Sequence, residues 1–588
     1  MSPDRASAVL SDADGIPWLE LALLGDAHRT DGRDQSYDVQ RARLERHPQG
    51  LEVIVSSGSA VWGSKSVRLA CCRDRVELSV HVALPPGAAP APLSEVTLLG
   101  GRAVLGSGAC GTFRSAAGFA AYFSPSPAEP VQVVRPAGIP STLGVVGDAS
   151  PGRLNAVFSP PPLCWVLGRT LPTSASDVPP GPWLGMSLEA PVERLTFTTA
   201  AYEPLDGGFL LRLDYDGHTT VSREFSSPVL VLRPAASPAE ALERYREALQ
   251  ARGWAPPSAR AQDQPAWWSR PIFCGWGAQC ARAAGATQDR PAGGRDAATV
   301  TRAGDLARQD VYDELLATLA RAGVDPGTVV IDDRWQAQYG TATVDDTKWP
   351  DLRGWIAMQH RAGRRVLLWW KAWDPEGLPA EECVTDPWGR PVAVDVNSPA
   401  YGTRLASTVR LLLGRDGFDA DGFKVDFTQR APSGESLRGV AGPWGIAGVH
   451  ALLGALHRAA KAAKPDALVV TQTPHPSFAD VCDMVRLNDV LERAPDGTHV
   501  DVVDQLRFRA GVARAALPGH LVDTDQWPMP SRVQWQAYTA AQGLLGVPAL
   551  YYVEGIDTSG EPLTRKDLVM VARTWARYEA GRTGGTAA

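Results

Sequence analysis

Carboxylates, cations and tryptophans recur at the ends of apolar runs in the second half of this sequence. DGFKVDF (421–427) alternates apolar residues and then ends in Lys424, Asp426 and a polar stretch. Two charges at the carboxyl end of an apolar strand are costly unless they are paired or used. The pattern repeats. TVVIDD (328–333) ends in Asp332 and Asp333, followed by Arg334 and Trp335, and RRVLLWW (364–370) ends in Trp369 and Trp370 before Lys371. DMVRLND (483–489) carries Arg486, Asn488 and Asp489, and HLVDTD (520–525) ends in Asp523 and Asp525 just before Trp527. A lone aspartate at a strand end is ordinarily a cap or a loop ligand. Lys424 and Asp426 share a strand face and could form only an ion pair, and Arg486 could simply neutralise Asp489. Five runs loaded at the same end favour a shared purpose. Charged groups bond hydroxyls and indoles stack on apolar ring faces, so the combination fits a sugar site. Glycosidic cleavage needs two carboxylates, one to attack or activate water and one to protonate the leaving oxygen. Asp426 and Asp489 are the favoured pair. Lys424 would keep Asp426 ionised, whereas Asp489 needs a raised pKa to arrive protonated.

Positioning those residues requires strands that all end on one side. From residue 266 onward apolar strand, loop and helix alternate eight times, the remaining strands being PIFCGW (271–276), ALVVTQ (467–472) and VPALYYV (547–553). Amphipathic helices are expected at 310–323, 352–363, 401–414, 444–463, 500–517, 532–546 and 564–581, with only a short one around PSFADV after Gln472. This is the signature of an α/β chain folded as a (β/α)8 TIM barrel, whose active sites sit at the carboxyl ends of the strands. A doubly wound open sheet is the alternative, but no GxGxxG follows the first strand and no Walker loop appears. Residues 1–236 instead hold short alternating runs such as WLELALLG (18–25), LEVIVSSGSAVW (51–62), RVELSVHVAL (75–84), ERLTFTTAAY (193–202) and GFLLRLDYDG (208–217). They predict a large antiparallel β-sandwich, with surface loops at 84–92 and 159–162. Between the two, 237–265 reads as a bridging helix and linker, with Ser237 as N-cap and Pro238 in the first turn. The barrel is expected over 266–588.

Bulk properties narrow the partners. The chain has 588 residues, 44% hydrophobic and 21% charged, with a formal net charge of -7. That balance argues against nucleic acid and anionic membranes. No secretory signal opens the sequence and no apolar run is long enough to span a bilayer, so a cytoplasmic protein is expected. The eight cysteines lack metal-site spacing and read as reduced, mostly buried thiols. Of nineteen tryptophans only Trp18, Trp62, Trp165 and Trp183 precede residue 250.

VVIDDRWQ (329–336), DGFKVDFTQ (421–429), VRLNDV (485–490) and DTDQW (523–527) resemble, in order and spacing, motifs of the glycoside hydrolases that include α-galactosidases and raffinose-synthase-like proteins. The resemblance spans the whole barrel, and a large N-terminal β-sandwich is typical of the group. It implies a retaining double displacement with Asp426 as nucleophile and Asp489 as acid/base. It also implies that Asp332 and Asp333 hold the 4- and 6-hydroxyls of galactose, Lys424 the 3- and 4-hydroxyls, and Arg486 the 2-hydroxyl. Trp335 and one of Trp369 or Trp370 would contact the sugar ring, with Asp525 and Trp527 completing the binding residues. No metal or organic cofactor is implied.

Three features depart from the group. Arg334 replaces a small residue, 471–475 replaces a Cys- and Gly-rich loop, and the usual C-terminal β-domain is not expected. The sequence therefore predicts a carbohydrate-active enzyme on α-galactosides, hydrolysing or transglycosylating. An α-glucosidase- or α-xylosidase-like enzyme on the same barrel and a catalytically silent carbohydrate-binding protein are the alternatives. The expected partner is an α-linked oligosaccharide or glycoside, with neither nucleic acid nor membrane, and a homo-oligomer is compatible with the sequence.

Overall fold

A computed structural model describes residues 6–47, 50–104, 108–126, 131–134, 141–144, 157–171, 180–205, 208–258, 264–285, 297–490 and 501–584. The chain divides into two compact units: Met1–Pro257 with Gln429–Ala451 and His475–Ser477, and Ser258–Thr428 with Leu452–Pro474 and Phe478–Ala588.

The first unit is built from large antiparallel sheets. One ladder runs in the order Gly50–Ser59, Ser64–Cys71, Val76–Ala83, Val229–Ala235, Trp183–Glu189 and Cys164–Gly168. A second sheet orders Ser141–Leu143, Thr199–Leu205, Gly208–Val221, Ala91–Leu98 and Asp26–Arg29. Alternation puts Leu211, Leu213, Val96 and Leu98 inward, all without exposed surface, while Cys164–Gly168 and Trp183–Glu189 are buried on both faces. The strand expected over 193–202 begins only at Thr199, after a 3-10 turn at Val192–Arg194. The segment 159–162, expected at the surface, is buried throughout. Its three prolines carry no N–H, so burying them leaves fewer donors to satisfy. The helix Pro238–Ala251 packs Ala241, Leu242, Tyr245 and Leu249 inward, and the Ser237 hydroxyl accepts from the Glu240 N–H at 3.1 Å.

The second unit is an eight-stranded, all-parallel, nearly closed barrel. Its strands are β1 (Ile272–Cys274), β2 (Thr328–Ile331), β3 (Arg365–Lys371), β4 (Gly422–Asp426), β5 (Leu468–Thr471), β6 (Met484–Arg486), β7 (Leu521–Asp523) and β8 (Ala549–Leu550). Neighbours pair in chain order from β1 to β7 and β1 pairs with β8, while a single parallel bridge, Asp523 to Val547, spans the remaining gap. Helices follow at Gln309–Arg321, Leu352–Arg361, Pro399–Leu413, Gly445–Ala463, Val502–Ala516, Arg532–Leu545 and Arg565–Gly584. Trp276–Gly285 and Ala297–Asp305 are helical too, two helices that the sequence reading did not include. The weak repeat after Gln472 is a single 3-10 turn, Pro476–Phe478. Among the described residues, no helix is long and apolar enough to cross a membrane.

Candidate active site

The pleat of β4 sorts its side chains. Phe423 and Val425 turn outward into apolar packing, while Lys424 and Asp426 point into the barrel, in register with Trp369 and Lys371 of β3. Lys424 does not pair with Asp426, the partner expected from the sequence. Its Nζ donates to Asp332 Oδ2 at 2.8 Å, and the Cys274 thiol donates to that same oxygen at 2.9 Å. Asp332 Oδ1 accepts the Asp333 N–H at 2.9 Å. Asp332 and Lys424 are 2% and 3% exposed, so each charge depends on the other for compensation. Neighbouring Asp333 turns elsewhere, its Oδ1 accepting from the Tyr339 hydroxyl at 2.7 Å. Burial, with Asp332 beside it, pushes the Asp333 carboxyl up to about 6.

Arg486, at the end of β6, organises the carboxylates. One guanidinium nitrogen donates to Asp426 Oδ1 at 2.7 Å and to Gln472 Oε1 at 2.7 Å. The other donates to Asp525 Oδ2 at 2.6 Å and to Asp489 Oδ1 at 3.1 Å. Asp426 also accepts from the Trp369 indole at 3.2 Å and from the Phe427 N–H at 2.8 Å. Burial works to raise the Asp426 pKa, but Arg486 and then Lys424, with the two hydrogen bonds, overcome it and hold the carboxyl below its usual value. Asp489 goes the other way, to about 7, because burial and the negative charges of Asp525 and Asp426 outweigh Arg486. Its side chain keeps 46% of its surface open, so it lines a recess walled by protein and is not sealed in the core. The two carboxylates thus meet one guanidinium with their pKa values pushed apart, Asp426 down and Asp489 up. Asp523, buried under Asp525, is likewise pushed up to about 6.

The turns that leave the strands are conformationally costly. Arg334, Trp373, Phe427, Asn488 and Asp525 have φ of 69°, 70°, 60°, 64° and 50°, in the left-handed region unfavourable to side-chain-bearing residues. Such strain concentrates where the chain must aim functional groups.

The structure gathers Asp332, Asp333, Trp369, Lys424, Asp426, Arg486, Asp489 and Asp525 at one end of the barrel. Two predicted ring-contact residues lie elsewhere. Trp335 has no exposed surface and spends its indole N–H on the Trp369 carbonyl at 2.8 Å. Trp370 faces outward against Phe423, ring centroids 5.3 Å apart, because alternation sends it opposite to Trp369. Trp527 packs edge-on against Trp276 at 5.9 Å. Sequence reasoning missed Cys274, Tyr339, Gln472 and Tyr551, whose ring lies 5.0 Å from the Lys424 ammonium. Tyr339 is clasped between Arg334 and Lys371, each 3.9 Å from its ring centroid. None of these sits in a motif; only the barrel brings them to the charges. The Lys371 that follows the Trp369-Trp370 pair was a visible cation at a strand end, and Arg334 is tied to Glu376 at 3.0 Å.

A cleft of about 840 Å³ lies away from this cluster at the amino end of β4, lined by His360, Arg365, Arg410, Asp419, Lys464 and Asp466. Its Asp419 and Lys464 pair with each other at 2.8 Å, and buried Asp421 joins His360, Arg365 and Lys464. These contacts satisfy the amino end of the strand, so chemistry is assigned to the carboxyl end. Among the described residues, no group of histidine, cysteine, aspartate or glutamate is placed to hold a metal ion.

No family model matches the chain, and no curated protein matches it. Solved structures do. A cycloalternan-forming enzyme from Listeria monocytogenes, in complex with a pentasaccharide substrate, superposes with TM-score 0.55 at 10% identity, over 93% of this chain and 54% of that one. This chain therefore spans about half the length of that enzyme. An α-galactosidase from Thermus thermophilus in complex with p-nitrophenyl α-D-galactopyranoside gives TM-score 0.52 at 16% identity, over 91% and 95%. A cycloalternan-degrading enzyme from Trueperella pyogenes gives 0.51 at 13% identity, over 91% and 83%. At these identities the likeness is one of fold: the chain has the fold of α-galactosidase-like glycoside hydrolases.

Proposed function

We propose that this protein is a retaining α-glycosidase, a (β/α)8 barrel preceded by a β-sandwich, acting on terminal α-galactosides. The observation that carries the reading is that two carboxylates meet one guanidinium in unlike surroundings, Asp426 amid donors that lower its pKa and Asp489 beside carboxylates that help raise it to about 7. Such a split assigns an ionised nucleophile and a protonated acid. Asp426 attacks the anomeric carbon while Asp489 protonates the departing oxygen. A glycosyl–Asp426 ester forms, and Asp489, now ionised, takes a proton from the water or sugar hydroxyl that cleaves it. Lys424, Asp332 and Asp333 are the hydroxyl-binding groups, Trp369 supports Asp426, and Arg486 with Asp525 sets the charge between the two aspartates.

The galactoside assignment rests on the Asp332-Asp333 pair and on the fold shared with the Thermus thermophilus enzyme. A second reading, an α-glucoside-active enzyme, draws on the cycloalternan enzymes, one of which was solved with isomaltose. Turnover on a panel of p-nitrophenyl α-glycosides separates the two, with the galactoside expected fastest. NMR of the first-formed sugar anomer tests retention, and a β-anomer as first product would sink the double-displacement mechanism. Tight sugar binding without turnover on any member of the panel would instead indicate a silent binding protein.

A further inference from the structure

The helix Val502–Ala516 carries an arginine on the face that turns toward the barrel, alongside Leu506, Ala510 and Ala513. Arg509 has no exposed surface. One of its guanidinium nitrogens donates to three successive carbonyls, those of Leu487, Asn488 and Asp489, each at 2.9 Å. The other is held by Gln505 Oε1 at 3.0 Å. Three converging carbonyl dipoles repel one another, and the guanidinium at their focus offsets that repulsion. Asn488, in the middle of the turn, has φ of 64°, so the turn also stores backbone strain. Backbone bonds pin it at both ends, Leu487 N–H to the Asp523 carbonyl and Val490 N–H to the Trp527 carbonyl, each at 3.0 Å. The ionisable groups that act on Arg509 are Asp489, Asp525 and Arg486.

We propose that Arg509 is the positioning residue of the acid/base: by gathering the carbonyls of 487–489 it fixes the Asp489 backbone, and so the direction from which the carboxyl meets the leaving oxygen. Arg509 touches no substrate and acts only through Asp489. The inference rests on the glycosidase reading for its kinetic consequence but not for its geometry.

The test uses the full chain with Arg509→Lys and Arg509→Met, on the sugar that the wild type turns over fastest. Lysine keeps the charge but cannot hold the fork that binds three carbonyls and Gln505 together. For the methyl glycoside, whose leaving group needs protonation, kcat/KM is expected to fall on the order of 10²-fold in both variants. For the 2,4-dinitrophenyl glycoside it should stay within about threefold of wild type, because that leaving group departs unaided. Equal losses on both substrates, or no loss on either, would overturn the proposal. If Arg509→Met does not fold, Arg509→Lys decides. A readout independent of turnover is the backbone amide NMR signals of 487–490, which should move or broaden in Arg509→Lys although its charge is kept. Unmoved signals there would overturn the proposal even if the wild type cleaved none of the glycosides, an outcome that would separately sink the glycosidase reading.

Discussion

At the scale of single residues, two aspartates differ because of what touches them. Asp426 is flooded with donors, from Arg486, Trp369 and the Phe427 N–H, whereas Asp489, among the described residues, accepts from Arg486 at 3.1 Å and faces other carboxylates. Asp426→Ala should therefore abolish turnover while the circular dichroism spectrum stays native, and residual activity near wild type would remove Asp426 from the mechanism. Asp489→Ala should cripple glycosides with poor leaving groups far more than activated aryl glycosides. The pH dependence follows from the same contrast. The reaction needs Asp489 protonated, and its pKa is about 7, so kcat/KM should fall as pH rises through 7. In Asp489→Ala that alkaline limb should vanish.

At the scale of elements, β4 must lie close enough to β5 to deliver Lys424 and Asp426 to the mouth. Gly422 makes this approach possible. Its φ is 150°, and a Cβ there would stand 2.0 Å from the Leu468 carbonyl oxygen of β5. Gly422→Ala should push the strands apart, costing about 2–4 kcal/mol in urea unfolding. Turnover should fall with it, because the displaced strand carries Asp426. The element periods were legible in sequence, since apolar runs of strand and helix length alternate plainly. Strand ends were not. β8 spans only Ala549–Leu550, although VPALYYV reads as a longer strand, because Tyr551 and Tyr552 give their N–H groups to the Gln526 side chain at 2.6 and 3.3 Å. A side chain from a distant turn took over the role of a neighbouring strand.

At the scale of the whole molecule, a buried histidine in one unit and buried aspartates in the other respond oppositely to mild acid. In the first, His475 is buried against the Tyr245 hydroxyl at 2.9 Å, and burial lowers it to about 3. Its folded pKa lies below the unfolded one, so the stability it contributes is present above pH 6.5 and is lost as pH falls. In the second unit, burial pushes the carboxyls of Asp333, Asp489 and Asp523 up to about 6, 7 and 6, above the ordinary aspartate range. Their contribution is fully present below about pH 4 and is lost as pH rises through 6 to 7, and burial of His520, which lowers its pKa, offsets it in part. Between pH 7.5 and pH 5.5, hydrogen-exchange protection should weaken around His475 and strengthen in the barrel strands, after correction for intrinsic rates. Parallel changes around His475 and in the barrel strands would contradict these assignments.

The amino-acid sequence by itself determined the alternating strand–helix order, the end of the strands where charge collects and the aspartates 426 and 489 within it. Local periodicity and the cost of unpaired charge are properties of short segments. Only the tertiary structure decided which charges pair: Lys424 with Asp332, and Asp426, Asp489 and Asp525 with Arg486, while buried Arg509 bonds backbone carbonyls instead of a carboxylate. It also decided that Trp369 faces the carboxylates while Trp335 and Trp370 do not. Those partners stand far apart in sequence and meet only because the barrel brings the carboxyl ends of separate strands round one centre, where each side chain takes the nearest opposite charge or open space.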